Sequence, residues 1–257
     1  MNRKNLYLIL LTIVLSSCAT SYKNIPYFQD LNHTNLTDEQ VKNYSPLTIQ
    51  PADIIGINVN SRDPESSTMF NYRVNGNSTE NAPDNPITGF LVDDKGEIHL
   101  PLIGDIKAAG KTTSELRENL AKLLLTYYKD PVVTVRILNF KVSVFGDVQR
   151  PGIYPIQNER ATITQALTLA GDLNITAIRN ITLIREQDGV RQFIPIDLTS
   201  KNVFESPYYY LRNNDEIYVQ PDRTKYATVD RGYRTATLLL SGLSIIAIVL
   251  SNLYRSN

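Results

Sequence analysis

Few side chains in this chain of 257 residues are spaced for chemistry. The adjacent Asp93 and Asp94 could imitate a carboxylate dyad for general acid–base work. Lys95-Gly96 follows them, however, and the four residues read as a hairpin turn. The only histidines, His33 and His99, lie far apart and lack cysteine partners, so no zinc spacing exists. His99 sits in Glu97-Ile98-His99-Leu100, an alternating run, and reads as a structural strand residue. Asp53 and Asp215 each precede an alternating apolar strand and read as turn formers rather than acids. No Walker A loop, Gly-x-Gly-x-x-Gly or Gly-x-Ser-x-Gly occurs. The chain is therefore expected to be no enzyme and to need no metal or cofactor.

The remaining reactive group is Cys18, the single cysteine. A basic Arg3-Lys4, an apolar run from Leu6 to Leu15 and small residues before the cysteine describe a secretory signal. The run is too short to span a bilayer comfortably. Leu15-Ser16-Ser17-Cys18 resembles the bacterial lipobox, whose cysteine thiol is acylated and becomes the first mature residue. One acyl chain anchors only marginally and two or more anchor firmly. The sequons at Asn32, Asn35, Asn77, Asn174 and Asn180 read as accidents of an Asn- and Thr-rich chain. The 26 basic and 26 acidic residues cancel, and no basic patch points to nucleic acid.

The elements that must position these residues begin near Leu47. Ile54–Val59 reads as a strand, and 61–88 as a long polar excursion. Phe90–Val92 and Glu97–Leu100 flank the Asp94-Lys95-Gly96 turn, and Leu102–Ile106 continues the strand after a proline break. Thr112-x-x-Glu115 is a capping box. It opens a helix whose stripe is Leu116, Leu120, Leu123, Leu124 and Tyr127, with Pro131 as the stop. Strands follow at Val132–Leu138 and Val142–Phe145. Arg150-Pro151-Gly152-Ile153 reads as a type II turn with glycine at positive φ. Thr162-x-x-Gln165 caps a short helix ended by Gly171. Further strands are expected at 181–185, 193–196 and 217–219, with Asp188-Gly189 as a tight turn. Ile49-x-x-x-Asp53-x-Ile55-x-Ile57 is echoed by Leu211-x-x-x-Asp215-x-Ile217-x-Val219. The predicted fold class is α+β, with two small strand-rich domains followed by a C-terminal transmembrane helix.

From Leu47 to Pro221 the chain resembles the bacterial polysaccharide export proteins, outer-membrane lipoproteins of capsule and exopolysaccharide secretion. The residues that carry this are Ile49-Gln50-Pro51-Ala52-Asp53, Val92–Ile98, Leu100–Gly104, Ala109–Thr113 and Asp130–Val135. The second half is similar to a soluble-ligand-binding β-grasp (SLBB) domain through Val144–Val148, Arg150–Tyr154, Ala166-Leu167-x-x-Ala170-Gly171 and Asn214–Val219. Family members commonly carry glycine where this chain has Ala52 and Asn214, and longer members carry more than one β-grasp domain. The implied organisation is a signal peptide at 1–17, a lipidated tether at 18–45, an export domain at 46–140, an SLBB domain at 141–221, a linker at 222–234 and an outer-membrane helix at 235–253.

Residues 235–253 would extend about 28 Å as a helix, near the thickness of a hydrocarbon core. Thr237, Ser241, Ser244 and Ser251 form one small, polar stripe on it. The stripe is either a packing seam between helices or the water-facing side of a helical barrel, which the resemblance favours. The resemblance also implies a homo-oligomeric ring, an octamer, that conducts polysaccharide. Its other partners would be membrane lipid and an inner-membrane polysaccharide co-polymerase or tyrosine kinase, with the domains in the periplasm. The alternative is a lipid-tethered glycan-binding module without a pore. Tyr208, Tyr209 and Tyr210 would then stack on sugar rings rather than serve as strand residues with one face buried.

Overall fold

The computed structural model describes residues 26–31, 34–36, 38–41, 43–61, 89–187, 189–226 and 231–255. Cys18, the signal region, most of the 61–88 excursion, His33 and Asp188 lie outside these residues. The described chain is mixed α/β, with three sheets, two helices packed on strands and a C-terminal apolar helix.

The first sheet is antiparallel, in the order β2 (Phe90–Leu91), β1 (Ile54–Asn60), β5 (Val132–Ile137). Along β1, buried Ile55, Ile57 and Val59 alternate with residues facing outward, the period-2 pattern of a strand with one face on a core. Helix α1 (Thr113–Leu124) covers this face and contacts β5. The Thr112 hydroxyl accepts from the Glu115 amide while the Glu115 carboxylate accepts from the Thr112 amide, so the expected capping box forms.

Four local expectations are corrected here. The stripe of α1 is Leu116, Leu120 and Leu124, continued by Tyr128 in the following turn, whereas Leu123 and Tyr127 are 40% and 52% exposed. The helix ends well before Pro131, because Thr126, Tyr127 and Tyr128 are mediocre helix formers and Asp130 takes φ 52°. The Asp93–Gly96 turn forms, yet its flanking strands do not pair with each other: β2 pairs with β1, and β3 (Glu97–Leu100) with β4 (Gly104–Lys107). Pro101 reverses the chain rather than interrupting a continuing strand. It has no amide to donate, and Leu102 adopts φ 66° while the Ile103 amide bonds back to the Pro101 carbonyl at 2.8 Å.

The second cluster is built on a five-stranded sheet, β7-β6-β10-β8-β9. Its strands are β6 (Lys141–Gly146), β7 (Gly152–Pro155), β8 (Asn180–Gln187), β9 (Val190–Asp197) and β10 (Glu216–Val219). Neighbours are antiparallel except β6 and β10, which run parallel. Helix α2 (Ile163–Leu169) covers one face with Ile163, Ala166 and Leu167, and its Thr162–Gln165 capping box is complete. Val142, Val144, Ile181, Leu183, Ile217 and Val219 meet it from the sheet.

Gly152 is not the left-handed turn residue the sequence suggests. It opens β7, and the preceding loop is held by α2's end: the Arg150 amide bonds to Ala170 O and the Gln149 amide to Asp172 O. The left-handed glycines of this cluster are instead Gly146 at φ 101°, Gly171, which ends α2, and Gly189 at φ 72°.

The sheet has two distinct ends. Lys141 of β6 and Glu216 of β10 start at one end, where Phe140 and Asn139 connect to the first cluster. Gly146 and Val219 finish at the other, beside the start of β8 and the close of β9. From there the chain leaves through a 3-10 turn, Arg223–Tyr226, toward helix α3 (Arg231–Arg255). Within α3, Thr235–Leu253 has a mean hydropathy of 2.1, and nothing else in the described chain covers it.

Candidate functional site

The sequence echo proves to be a pair of matching turns. The Gln50 amide donates to Asp53 Oδ2 at 2.9 Å, and the Arg212 amide to Asp215 Oδ2 at 2.7 Å. Each turn also closes through its backbone, Asp53 N to Gln50 O and Asp215 N to Arg212 O. Ala52 at φ 69° and Asn214 at φ 64° fill the left-handed position. The two turns touch: Asn213 Nδ2 donates to Asp53 Oδ1 at 2.6 Å. Asn139 ties the same joint, accepting from the Ile54 amide and donating to Ala52 O. Burial pushes the Asp53 carboxyl above its ordinary range, against the hydrogen bonds from Asn213 and Gln50 that lower it. Asp215 instead meets Arg185 in a buried two-pronged pair, with Nε–Oδ1 at 2.9 Å and Nη2–Oδ2 at 2.6 Å. These carboxylates are consumed by structure. The Asp53–Asn213 bond joins the first cluster to one end of the five-stranded sheet, and the Asp215–Arg185 pair secures that end.

The opposite end is organised by Asp147, which is fully buried. It accepts from Asn174 at 2.8 Å, Thr176 at 2.7 Å and Lys225 at 2.6 Å. Burial works to raise its pKa, but the bonds from Lys225, Thr176 and Asn174 outweigh it and hold the carboxyl below the usual range. The segment ahead of α3 is thereby fastened to the 172–176 loop. Sequence reasoning missed this tie, since nothing in residue spacing links Asp147 to Lys225.

Tyr208, Tyr209 and Tyr210 are half-buried and lie outside any regular strand, between the 3-10 turn Lys201–Glu205 and β10. Their expected strand setting is therefore corrected. Tyr209 packs edge-on against Phe204 and Tyr210, Tyr210 meets Tyr44, and Phe204 meets Phe28. Phe28 and Tyr44 belong to the N-terminal segment, which runs the length of the sheet's flank. Its anchors are Phe28 N to Leu198 O, Asp30 to Ser200, and Asn43 to the Phe204 and Ser206 carbonyls. Tyr209 and Tyr210 thus share one aromatic ladder with that segment, whereas Tyr208 meets the Arg185 guanidinium, 5.7 Å from its ring centroid. A neighbouring open cleft of about 710 Å³, lined by Arg136, Phe140, Ile156, Gln157 and Glu159, lies where β5 meets the β7–α2 loop.

His99 pairs with Asp105 across the β3–β4 hairpin at 2.6 Å, on an exposed surface. No group of three metal-ligand side chains converges among the described residues. On α3, Thr237, Ser241, Ser244 and Ser251 fall within an arc of about 80° at 3.6 residues per turn, and all four are exposed. Ser241 and Ser244 donate to the Leu238 and Ser241 carbonyls, so neither hydroxyl brings an unpaired donor into an apolar medium.

The described residues thus hold two clusters tied at the Asp53–Asn213 joint and an apolar helix that none of them covers. Residues 25–138 match the family of polysaccharide biosynthesis/export proteins. Among its relatives is the EPS I polysaccharide export outer membrane protein EpsA of Ralstonia solanacearum, 29% identical over 157 residues, which are 60% of this chain and 42% of that protein. The EpsA of Ralstonia nicotianae is 30% identical over 157 residues, covering 60% of this chain and 41% of that protein. The exopolysaccharide production protein ExoF of Rhizobium meliloti is 34% identical over 88 residues, 33% of this chain and 21% of ExoF. The matched stretch thus spans about two-fifths of the length of the two EpsA proteins.

Proposed function

We propose that this chain is an outer-membrane lipoprotein that assembles into a ring-shaped homo-oligomeric channel for exopolysaccharide. The observation that carries the reading is α3. Beyond the stretch that matches polysaccharide export proteins, the chain carries a helix with 19 apolar-rich residues in a row, Thr235–Leu253, which none of the described residues covers. A bilayer or neighbouring copies must cover them. With a narrow hydroxyl stripe and a broad aliphatic face, each helix would turn Leu, Ile and Val to lipid. Thr237, Ser241, Ser244 and Ser251 would face a hydrated lumen.

In this reading residues 46–140 are the export domain, 141–221 the SLBB β-grasp domain and 222–234 the linker, and Cys18 carries the lipid. The five-stranded sheet with one covering helix supports the β-grasp assignment. No chemistry is done on the glycan, which passes through the ring. An inner-membrane co-polymerase or tyrosine kinase would deliver it to the periplasmic side. Head-to-tail contacts that close by rotation generate such rings, and the resemblance makes the closed ring an octamer. Electron microscopy of detergent-extracted protein tests this directly. The expected image is a ring with a central hole, whereas a monomeric protein without a pore overturns the channel. A monomer that still retains glycan would favour the tethered binding module.

A further inference from the structure

We propose that the loop Asp172–Thr176, together with Tyr226, is a membrane-contact site that docks on the lipid headgroup layer, with Ile175 dipping into it. The inference rests on the reading of α3 as a bilayer span and adds a second point of contact, made by the folded body.

Three observations lead there. The first is position. The 172–176 loop lies at the end of the five-stranded sheet from which the chain departs for α3, opposite the Asp53–Asn213 joint. Only residues 227–230 separate Tyr226 from the start of α3, a reach of at most about 18 Å even fully extended. The second is rigidity. The departing segment is bonded to the loop, Asp222 N to Thr176 O at 2.7 Å and Ile178 N to Gln220 O at 2.9 Å, with Ala177 bridging to Pro221. Arg179 gathers the Asn174, Ile175 and Ala177 carbonyls from beneath. The loop therefore travels with the membrane-bound segment and is held in one shape before contact, which lowers the ordering cost of docking.

The third is chemistry. Ile175 is 75% exposed, the highest value of any large apolar side chain among the described residues of the two clusters, 46–226. Such exposure, on a loop whose Asn174, Ile175 and Thr176 carbonyls are all bonded, leaves most of the side chain outside the protein's own packing. Tyr226 is exposed on the same departing turn, and an amphipathic ring suits the level of the headgroups. Arg150 and Arg223 are exposed at this end and would favour anionic lipid. Asp172 and Asp222 share this end and keep their charge, since their bonds come from neutral donors, so the contact rests on position and on Ile175 and Tyr226 rather than on net charge.

The chain contains no tryptophan, so a single introduced indole reports its own surroundings. Three full-length variants, Ile175→Trp, Leu125→Trp and Leu243→Trp, would be reconstituted into vesicles of phosphatidylcholine and phosphatidylglycerol whose acyl chains are unbrominated, brominated near the headgroup to probe Ile175→Trp, or brominated near the chain end to probe Leu243→Trp. Leu125 is an exposed residue of the first cluster, away from the proposed contact, and Leu243 lies within α3. The expected result is a blue-shifted emission and a loss of intensity on bromination for Ile175→Trp and Leu243→Trp, and neither for Leu125→Trp. If Ile175→Trp behaves like Leu125→Trp while Leu243→Trp is quenched, the contact is overturned and the span stands. If Leu243→Trp is also unquenched, the span and the contact fall together.

Discussion

Ala52 and Asn214 hold the same place in two turns, and the left-handed conformation treats them differently. An alanine there bears a steric penalty that glycine lacks, while asparagine tolerates the region better. Ala52→Gly is therefore expected to stabilise the protein by about 1 kcal/mol, and Asn214→Gly by less, as read from thermal melting of both variants. A second residue-scale effect concerns Asp147. Its folded-state pKa is depressed, so it contributes stability above its unfolded pKa, and that contribution is lost as pH falls through the folded value. Removing the Lys225 ammonium leaves burial less opposed and raises the folded pKa. Lys225→Met is thus expected to move acid unfolding to higher pH, followed by circular dichroism across an acid titration. The Asp turns themselves were legible in sequence, because a repeated spacing of four residues before an alternating strand has one simple physical meaning. The bond from Asn213 to Asp53 was not, since it joins residues 160 apart that only the folded joint brings together.

Among the elements, the parallel pair β6–β10 depends most on one residue. At Gly146 an added Cβ would stand 2.0 Å from the Val219 carbonyl oxygen, at a φ of 101° that L-residues avoid. Gly146→Ala is expected to cost about 3 kcal/mol or more, combining backbone strain with a clash that only movement of β10 relieves. Gly189→Ala is the control: its φ of 72° is also unfavourable, but open space surrounds the site, so about 1 kcal/mol is expected. Urea titrations of the two proteins check the contrast. Both capping boxes could be read in advance, being complete within four residues. Strand partners could not. Phe90-Leu91 and Glu97–Leu100 look like a hairpin because a turn joins them, but β1 and β4 compete for their edges and win. Similarly, Leu123 and Tyr127 fit a helical period, yet the sheet beneath α1 is wide enough only for the row Leu116, Leu120, Leu124 and Tyr128.

For the molecule as a whole, the first cluster and the departure toward α3 occupy opposite ends of the five-stranded sheet, while the N-terminal segment returns along its flank to the departure end. Tyr27, nine residues beyond the expected acylation point, bonds to Asp172 there. If Cys18 carries lipid, both attachments start from one end of the body. Cys18→Ser is then expected to deplete the protein from the outer-membrane fraction and to reduce ring assembly, without lowering the melting temperature of the purified body. Cell fractionation and calorimetry measure the two parts separately. A fully localised, ring-forming Cys18→Ser protein would remove lipid from the account.

The parallel placement of β6 and β10 also decides how the molecule answers force. The chain enters β6 from the side of the first cluster and leaves β10 on the side of the helix, and the two strands are direct neighbours. Tension applied between the membrane and the distal cluster would slide these strands lengthwise instead of peeling them apart. The bonds along the ladder, from Ser143 N to Asp215 O at one limit to Asp147 N to Val219 O at the other, would then bear load simultaneously. The middle of the protein is in this sense a mechanical clamp, strongest along the axis on which a membrane-spanning assembly would be pulled.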